Sequence, residues 1–136
     1  MNPQNINPQL EHINLTVKNP DQIANYLKRI FGWEIRWVGP SKDVGSTIHV
    51  GNKQTGASYL ALYTHETLSE APARNHLQAA SLNHIGVTVD NLQETEQKVL
   101  AEGFKTHNHG DYQPGSRFYF DISPEIEVEV ISYHQS

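Results

Sequence analysis

The hydrophobic pattern of the chain changes period several times, and each change marks an element. Residues 10–17, Leu-Glu-His-Ile-Asn-Leu-Thr-Val, alternate with Ile13, Leu15 and Val17 on one side, the pattern of a half-buried strand. Between 21 and 31 the period lengthens. Ile23, Leu27, Ile30 and Phe31 fall on one helical face, Asp21 behind Pro20 suits an N-cap or first turn, and Gly32 suits the C-terminal turn. Three short runs over 34–38, 47–51 and 58–63 predict strands, with turn material at Asp43-Val44-Gly45 and 52–56. Then the order begins again. A strand is predicted over 82–89 and a helix over 92–102, striped by Leu92, Val99 and Leu100 and closed by Gly103. Further strands are predicted at 105–108, 117–121 and 126–132, with 110–115 as a turn.

The second series repeats the first. Leu10-Glu11-His12-Ile13-Asn14-Leu15-Thr16-Val17 returns 72 residues later as Leu82-Asn83-His84-Ile85-Gly86-Val87-Thr88-Val89, with Leu, His, Ile, Thr and Val in identical places. Asn19 returns as Asn91, and Gly32-Trp33 as Gly103-Phe104 after one deletion. The chain therefore predicts an α+β fold of two tandem βαβββ units, 10–64 and 82–134. Residues 1–9 read as a flexible arm and 65–81 as a polar linker, all within one domain of 136 residues. Helices on one side of such a sheet leave its other side to curl, as a half-open mixed sheet, round a cavity.

Strand alternation sets which residues face that cavity. His12 and Asn14 lie opposite the aliphatic stripe of the first strand, and His84 holds the same place in the copy. In the last strand Glu127 and Glu129 share one face while Ile126, Val128 and Val130 share the other. Carboxylates in that position are either solvated or paired with a cation. Two imidazoles and one carboxylate, His12, His84 and either Glu129 or Glu127, form a ligand set that leaves open positions on a divalent metal. A small molecule with two neighbouring oxygens could chelate there. His107 and His109 would share a face if extended, but they border glycine-rich turn material and read as an exposed loop. His49, His65, His76 and His134 have no partner pattern and read as surface.

Composition narrows the chemistry. The absence of cysteine excludes disulfides, thiolate catalysis, iron–sulfur clusters and cysteine-ligated zinc. Ten basic against 15 acidic residues, net −5, argue against nucleic acid or an anionic membrane as partner. Eight histidines keep a metal in view. The first residues have neither the basic nor the apolar region of a signal peptide, and no run is long enough to span a membrane, so a cytoplasmic protein is expected. Open sheet edges and 37% apolar content point to a homodimer. There is no phosphate-binding loop, serine-nucleophile elbow or redox dithiol.

These residues resemble the vicinal oxygen chelate superfamily, which includes glyoxalase I, extradiol dioxygenases, methylmalonyl-CoA epimerase, fosfomycin-resistance thiol transferases and bleomycin-resistance proteins. The resemblance spans about 8–134. It rests on Leu-x-His-Ile at both strand starts, Phe31-Gly32-Trp33, the Arg117-Phe118-Tyr119-Phe120-Asp121 strand and the closing Ile126-Glu127-Val128-Glu129-Val130. It implies metal ligands from the first and fourth strands of each unit, here His12, His84 and Glu129, holding Fe, Mn, Ni or Zn. The remaining ligand position falls at Leu60, where glyoxalase I has a glutamate that leucine cannot replace. Three ligands look more like the dioxygenases and the fosfomycin-resistance enzymes. Asp121-Ile122-Ser123-Pro124-Glu125 departs from the usual Asp-Pro-x-Gly turn and keeps Glu127 as an alternative ligand. A catalytic base would come from Glu127, His49 or Tyr119. Leu60, Tyr59, Arg117 and Asn14 would contact substrate, Arg117 through an acidic group. The alternative function is metal-free binding of a flat hydrophobic molecule, as in bleomycin-resistance proteins.

Overall fold

The computed structural model describes residues 7–41 and 44–134. Most of the expected arm, and Asp43 of the expected turn, lie outside these residues. Ten elements follow in order: β1 His12–Thr16, α1 Pro20–Phe31, β2 Glu34–Pro40, β3 Ser46–Gly51, β4 Tyr59–Thr64, β5 Ile85–Thr88, α2 Leu92–Ala101, β6 Thr106–Tyr112, β7 Gly115–Ser123 and β8 Ile126–Tyr133. This is βαβββ twice. The chain forms two compact units, one running to Lys28 and resuming over Gly32–Leu68, the other comprising Arg29–Phe31 and the residues from Ser69 onward.

Each unit has one four-stranded mixed sheet, ordered β1-β4-β3-β2 in the first and β5-β8-β7-β6 in the second. The first strand of each pairs in parallel with the fourth, and the remaining neighbours pair antiparallel. The repeated asparagines are the helix N-caps. Asn19 Oδ1 accepts from the Gln22 amide at 3.1 Å, and Asn91 Oδ1 from the Glu94 amide at 3.0 Å. Each satisfies a backbone donor that the first helical turn leaves unpaired. Pro20 then occupies the first turn with Asp21, as the fixed proline φ favours, and Gly32 closes α1 with φ +69°.

Alternation decides what is buried. Ile48, Val50, Leu60 and Leu62 are buried in the first unit with Ile23, Ala24 and Leu27 of α1. In the second, Phe118, Phe120, Ile122, Val128 and Val130 are buried on one face of the sheet, and α2 lies against β6, β7 and β8 with Thr95 and Val99 inward. The expected turn at 110–115 shortens to 113–114: β7 starts at Gly115, and 110–112 are strand because β6 absorbs a bulge between His107 and Gly110. Asn108 takes φ +55° there, a conformation asparagine tolerates better than most residues.

Candidate functional site

His12 and His84 are held in the same way. The Nδ1 of His12 lies 2.9 Å from Glu11 Oε1, and that of His84 lies 2.8 Å from Asn83 Oδ1. Both partners are oxygen acceptors, so each ring presents Nδ1 to its neighbour in sequence and turns Nε2 the other way. Fixing one ring nitrogen to orient the other is how a protein prepares an imidazole for a metal. His12 and Tyr59 also hold the Glu11 carboxyl below its usual range, through the bond to His12 first and the bond to Tyr59 second.

His84 Nε2 points at Glu129, 3.3 Å from Oε1. The other oxygen of Glu129 is committed: Oε2 accepts from Arg117 Nη1 at 3.1 Å and from the Tyr119 hydroxyl at 3.0 Å. Register explains the meeting. Gly86 pairs with Glu129 across β5 and β8, and Tyr119 pairs with Glu129 across β7 and β8. Gly86 has no side chain to cover the carboxylate, and a Cβ built there would meet only Oε1, at 3.9 Å. Burial and the bond to Glu129 push the Tyr119 hydroxyl up to about 12, so at neutral pH it is a donor.

The residues fit a divalent ion. Two ligands bonded at about 2.1 Å and separated by a tetrahedral angle lie roughly 3.4 Å apart, close to the spacing of His84 Nε2 and Glu129 Oε1. A carboxylate with one oxygen free and the other hydrogen-bonded is the usual form of a supported metal ligand.

Arg117, expected at the substrate, directs its guanidinium to Glu129 and to backbone carbonyls. It is buried, and besides Glu129 it donates from Nη2 to the carbonyls of Tyr112 and Gly115 and lies 4.1 Å over the Tyr112 ring. Its planar fork therefore positions Glu129. Glu127, on the same face of β8, meets another group. His76 Nε2 lies 3.6 Å from Oε1 and His107 Nε2 3.9 Å from Oε2, while His107 Nε2 is also 3.3 Å from Asp121 Oδ1. His107, Asp121 and Glu127 each offer one ligand atom to a group of three lying within 4.8 Å of one another.

In the first unit an open cleft of about 680 Å³ is lined by His12, Asn14, Trp37, His49, Tyr59 and Tyr63, among others. Four of these rings form a ladder, with centroids 5.1 Å apart from His12 to Tyr59, 4.6 Å from Tyr59 to His49 and 4.9 Å from His49 to Trp37. Burial, and then repulsion from His12, lower the His49 pKa, so its ring is neutral at pH 7. Burial, and then the bond to Glu11, raise that of Tyr59.

The structure therefore places Asn14, Tyr59 and His49 in the cleft and keeps Leu60 out of it. Leu60 pairs with Ile13 and is buried on the aliphatic face. The residue opposite Asn14, and so the repeat counterpart of Glu129, is Ala61. The one-residue correction follows from the period of two, which turns neighbouring side chains to opposite faces. Alanine, like leucine, cannot coordinate. His76, expected on the surface without a partner, faces Glu127, and His107 sits on a strand. The bulge at Asn108 separates His107 from His109, which turns instead to Glu96 at 2.7 Å. Sequence reasoning missed Asp121. The signal was there, since Arg117, Tyr119 and Asp121 share one face of a strand beside Glu129 and Glu127.

Comparison with known proteins agrees with this topology. The family model described as Glyoxalase/Bleomycin resistance protein/Dioxygenase superfamily matches residues 11–120. A glyoxylase/bleomycin resistance protein/dioxygenase domain from Frankia sp. EAN1pec superposes with TM-score 0.76 at 18% identity, covering 95% of this chain and 100% of that one. The fosfomycin resistance protein FosX from Listeria monocytogenes superposes with TM-score 0.70 at 18% identity, covering 95% and 96%. A further crystal structure of FosX is a complex with Mn(II) and sulfate, at TM-score 0.67, 19% identity and 95% of each chain. Among curated proteins none matches the sequence. No helix among the described residues is long and apolar enough to cross a membrane.

Proposed function

Because this chain belongs to the glyoxalase/bleomycin resistance protein/dioxygenase superfamily, we propose that it is a divalent-metal-dependent enzyme acting on a small molecule with two neighbouring oxygens. His12, His84 and Glu129 are the proposed ligands. The observation that carries the reading is the shared arrangement of the repeat-related histidines, each tied at Nδ1 and open at Nε2, with Glu129 Oε1 free beside His84. A metal bound there would polarise the two substrate oxygens and stabilise an oxyanion. FosX, similar in fold, is known in complex with Mn(II), and Fe, Mn, Ni and Zn all suit imidazole and carboxylate.

The other residues divide the remaining work. Arg117 and Tyr119 fix Glu129 through Oε2. The ladder from His12 to Trp37 takes the flat part of the substrate, with Asn14 offering a polar contact. His49, neutral and part of that ladder, is the proposed proton acceptor. The unpaired edge of the first sheet carries exposed Ile35, Trp37 and Val38, which supports a homodimer. We place the protein in the cytoplasm.

The test is elemental analysis of protein purified without a chelator or a histidine tag, beside His84→Ala. The expected result is bound metal in the wild type that His84→Ala loses in part or in full. Unchanged metal content in His84→Ala, or none in the wild type after reconstitution, overturns the catalytic reading. The ring ladder favours a second reading, metal-free binding of a planar molecule. Quenching of Trp37 by such a ligand in metal-free protein supports it.

A further inference from the structure

We propose that His107, Asp121 and Glu127 form a second divalent-cation site in the second unit, beside the pair His84 and Glu129, with His76 next to Glu127 at its rim.

Glu127 carries the argument. The residue is 9% exposed, yet its nearest partners among the described residues are two imidazole nitrogens at 3.6 and 3.9 Å, beyond hydrogen-bond reach. A largely covered carboxylate with no donor among the described residues closer than 3.6 Å leaves room among these groups for a cation, which would pair with its charge. The spacings suit that cation. Ligands bonded at about 2.1 Å in tetrahedral array lie roughly 3.4 Å apart, and here the nitrogen–oxygen distances are 3.3, 3.6 and 3.9 Å.

The orientation is prepared as well. His107 Nδ1 is bonded to Asn108 Oδ1, which turns Nε2 toward the carboxylates, the arrangement already seen at His12 and His84. Arg74 Nη1 and Nη2 lie 3.3 Å from Oδ1 and Oδ2 of Asp121, a fork that orients this carboxylate while Oδ1 also meets His107. An imidazole and two carboxylates, with a second imidazole beside Glu127, suit Zn(II) or another first-row divalent ion better than calcium or magnesium.

Glu127 and Glu129 are two residues apart on β8, about 7 Å along the strand, so the two groups sit side by side on one face of the sheet. What the ion would do is tie β6, β7 and β8 together through His107, Asp121 and Glu127.

The experiment is calorimetric titration of the metal-free, untagged full chain with Zn(II) alone, comparing wild type, His84→Ala, His107→Gln and Glu127→Gln, each checked for folding by circular dichroism. Two ions per chain are expected in the wild type, one in each variant. A single ion lost in His107→Gln or Glu127→Gln but kept in His84→Ala also supports the second site, while removing the reading under which His84 is a catalytic ligand. Zinc binding unchanged in both His107→Gln and Glu127→Gln overturns the second site and leaves that reading intact. Absence of zinc binding in the wild type overturns both. Should His107→Gln not fold, Glu127→Gln decides alone.

Discussion

His84 Nε2 and Glu129 Oε1 stand 3.3 Å apart, while the second oxygen of Glu129 is held by Arg117 and Tyr119. One oxygen of this carboxylate is thus committed within its sheet and the other faces His84. That division separates the effects of substitutions on either side of it.

Tyr119→Phe removes one donor from Oε2 and leaves both candidate ligands in place. Metal affinity at the His84 site should fall on the order of 10-fold, the lower end of the range for an outer-shell partner. Competitive titration with a chromophoric chelator would measure it. Affinity equal to wild type would mean that Arg117 alone orients Glu129.

The same hydroxyl gives an alkaline signature. Its folded pKa of about 12 lies above the ordinary value of 10. A raised pKa stabilises the fold fully below pH 10, and that contribution is lost as pH rises through about 12. Denaturation midpoints measured from pH 9 upward should fall less steeply in Tyr119→Phe than in wild type. Parallel slopes would remove Tyr119 from the alkaline loss.

His49 predicts the opposite sign. Burial lowers its pKa from 6.5, so the unfolded chain binds this proton more readily than the folded one. Its contribution to stability is present above pH 6.5 and is lost as pH falls through the lowered folded value. Imidazole resonances followed by NMR should show His49 titrating below the ordinary histidine range. As a proton acceptor it should also leave activity level from pH 7 upward, falling on the acid side, with His49→Gln lowering kcat more than it raises KM.

Asn19→Ala and Asn91→Ala test the repeat at its helix starts. Each should cost about 1 kcal/mol, with serine restoring most of it, because either oxygen satisfies the same amide donor. Urea denaturation gives the comparison. A loss below about 0.3 kcal/mol in both would show that other groups or water satisfy those amides equally well.

Much of this was legible in one dimension. The repeated Leu-x-His-Ile run located both first strands, and period two separated Glu127 and Glu129 from Val128 and Val130 without reference to any neighbour. Local rules sufficed there because each depended on residues a few positions apart. Leu60 shows where they stop. Its strand was recognised, but its register against β1 was not, and a shift of one residue exchanges it for Ala61. His107 shows another limit. Gly110 suggested a turn, whereas pairing with β7 carried the strand through a bulge and brought His107 to Asp121.

The sequence by itself determined the two βαβββ units, the repeated histidines and the face that carries the carboxylates, which follow from backbone periodicity; the N-caps, expected at Asp21 or left unassigned, stand at Asn19 and Asn91. The tertiary structure decided which carboxylate meets which imidazole: Glu129 with His84, and Glu127 with His107 and His76. It also turned Arg117 into a support for Glu129 and brought His12, Tyr59, His49 and Trp37 into one ladder. Those outcomes depend on strand order and register, which bring together residues from distant parts of the chain, and no local pattern encodes that spacing.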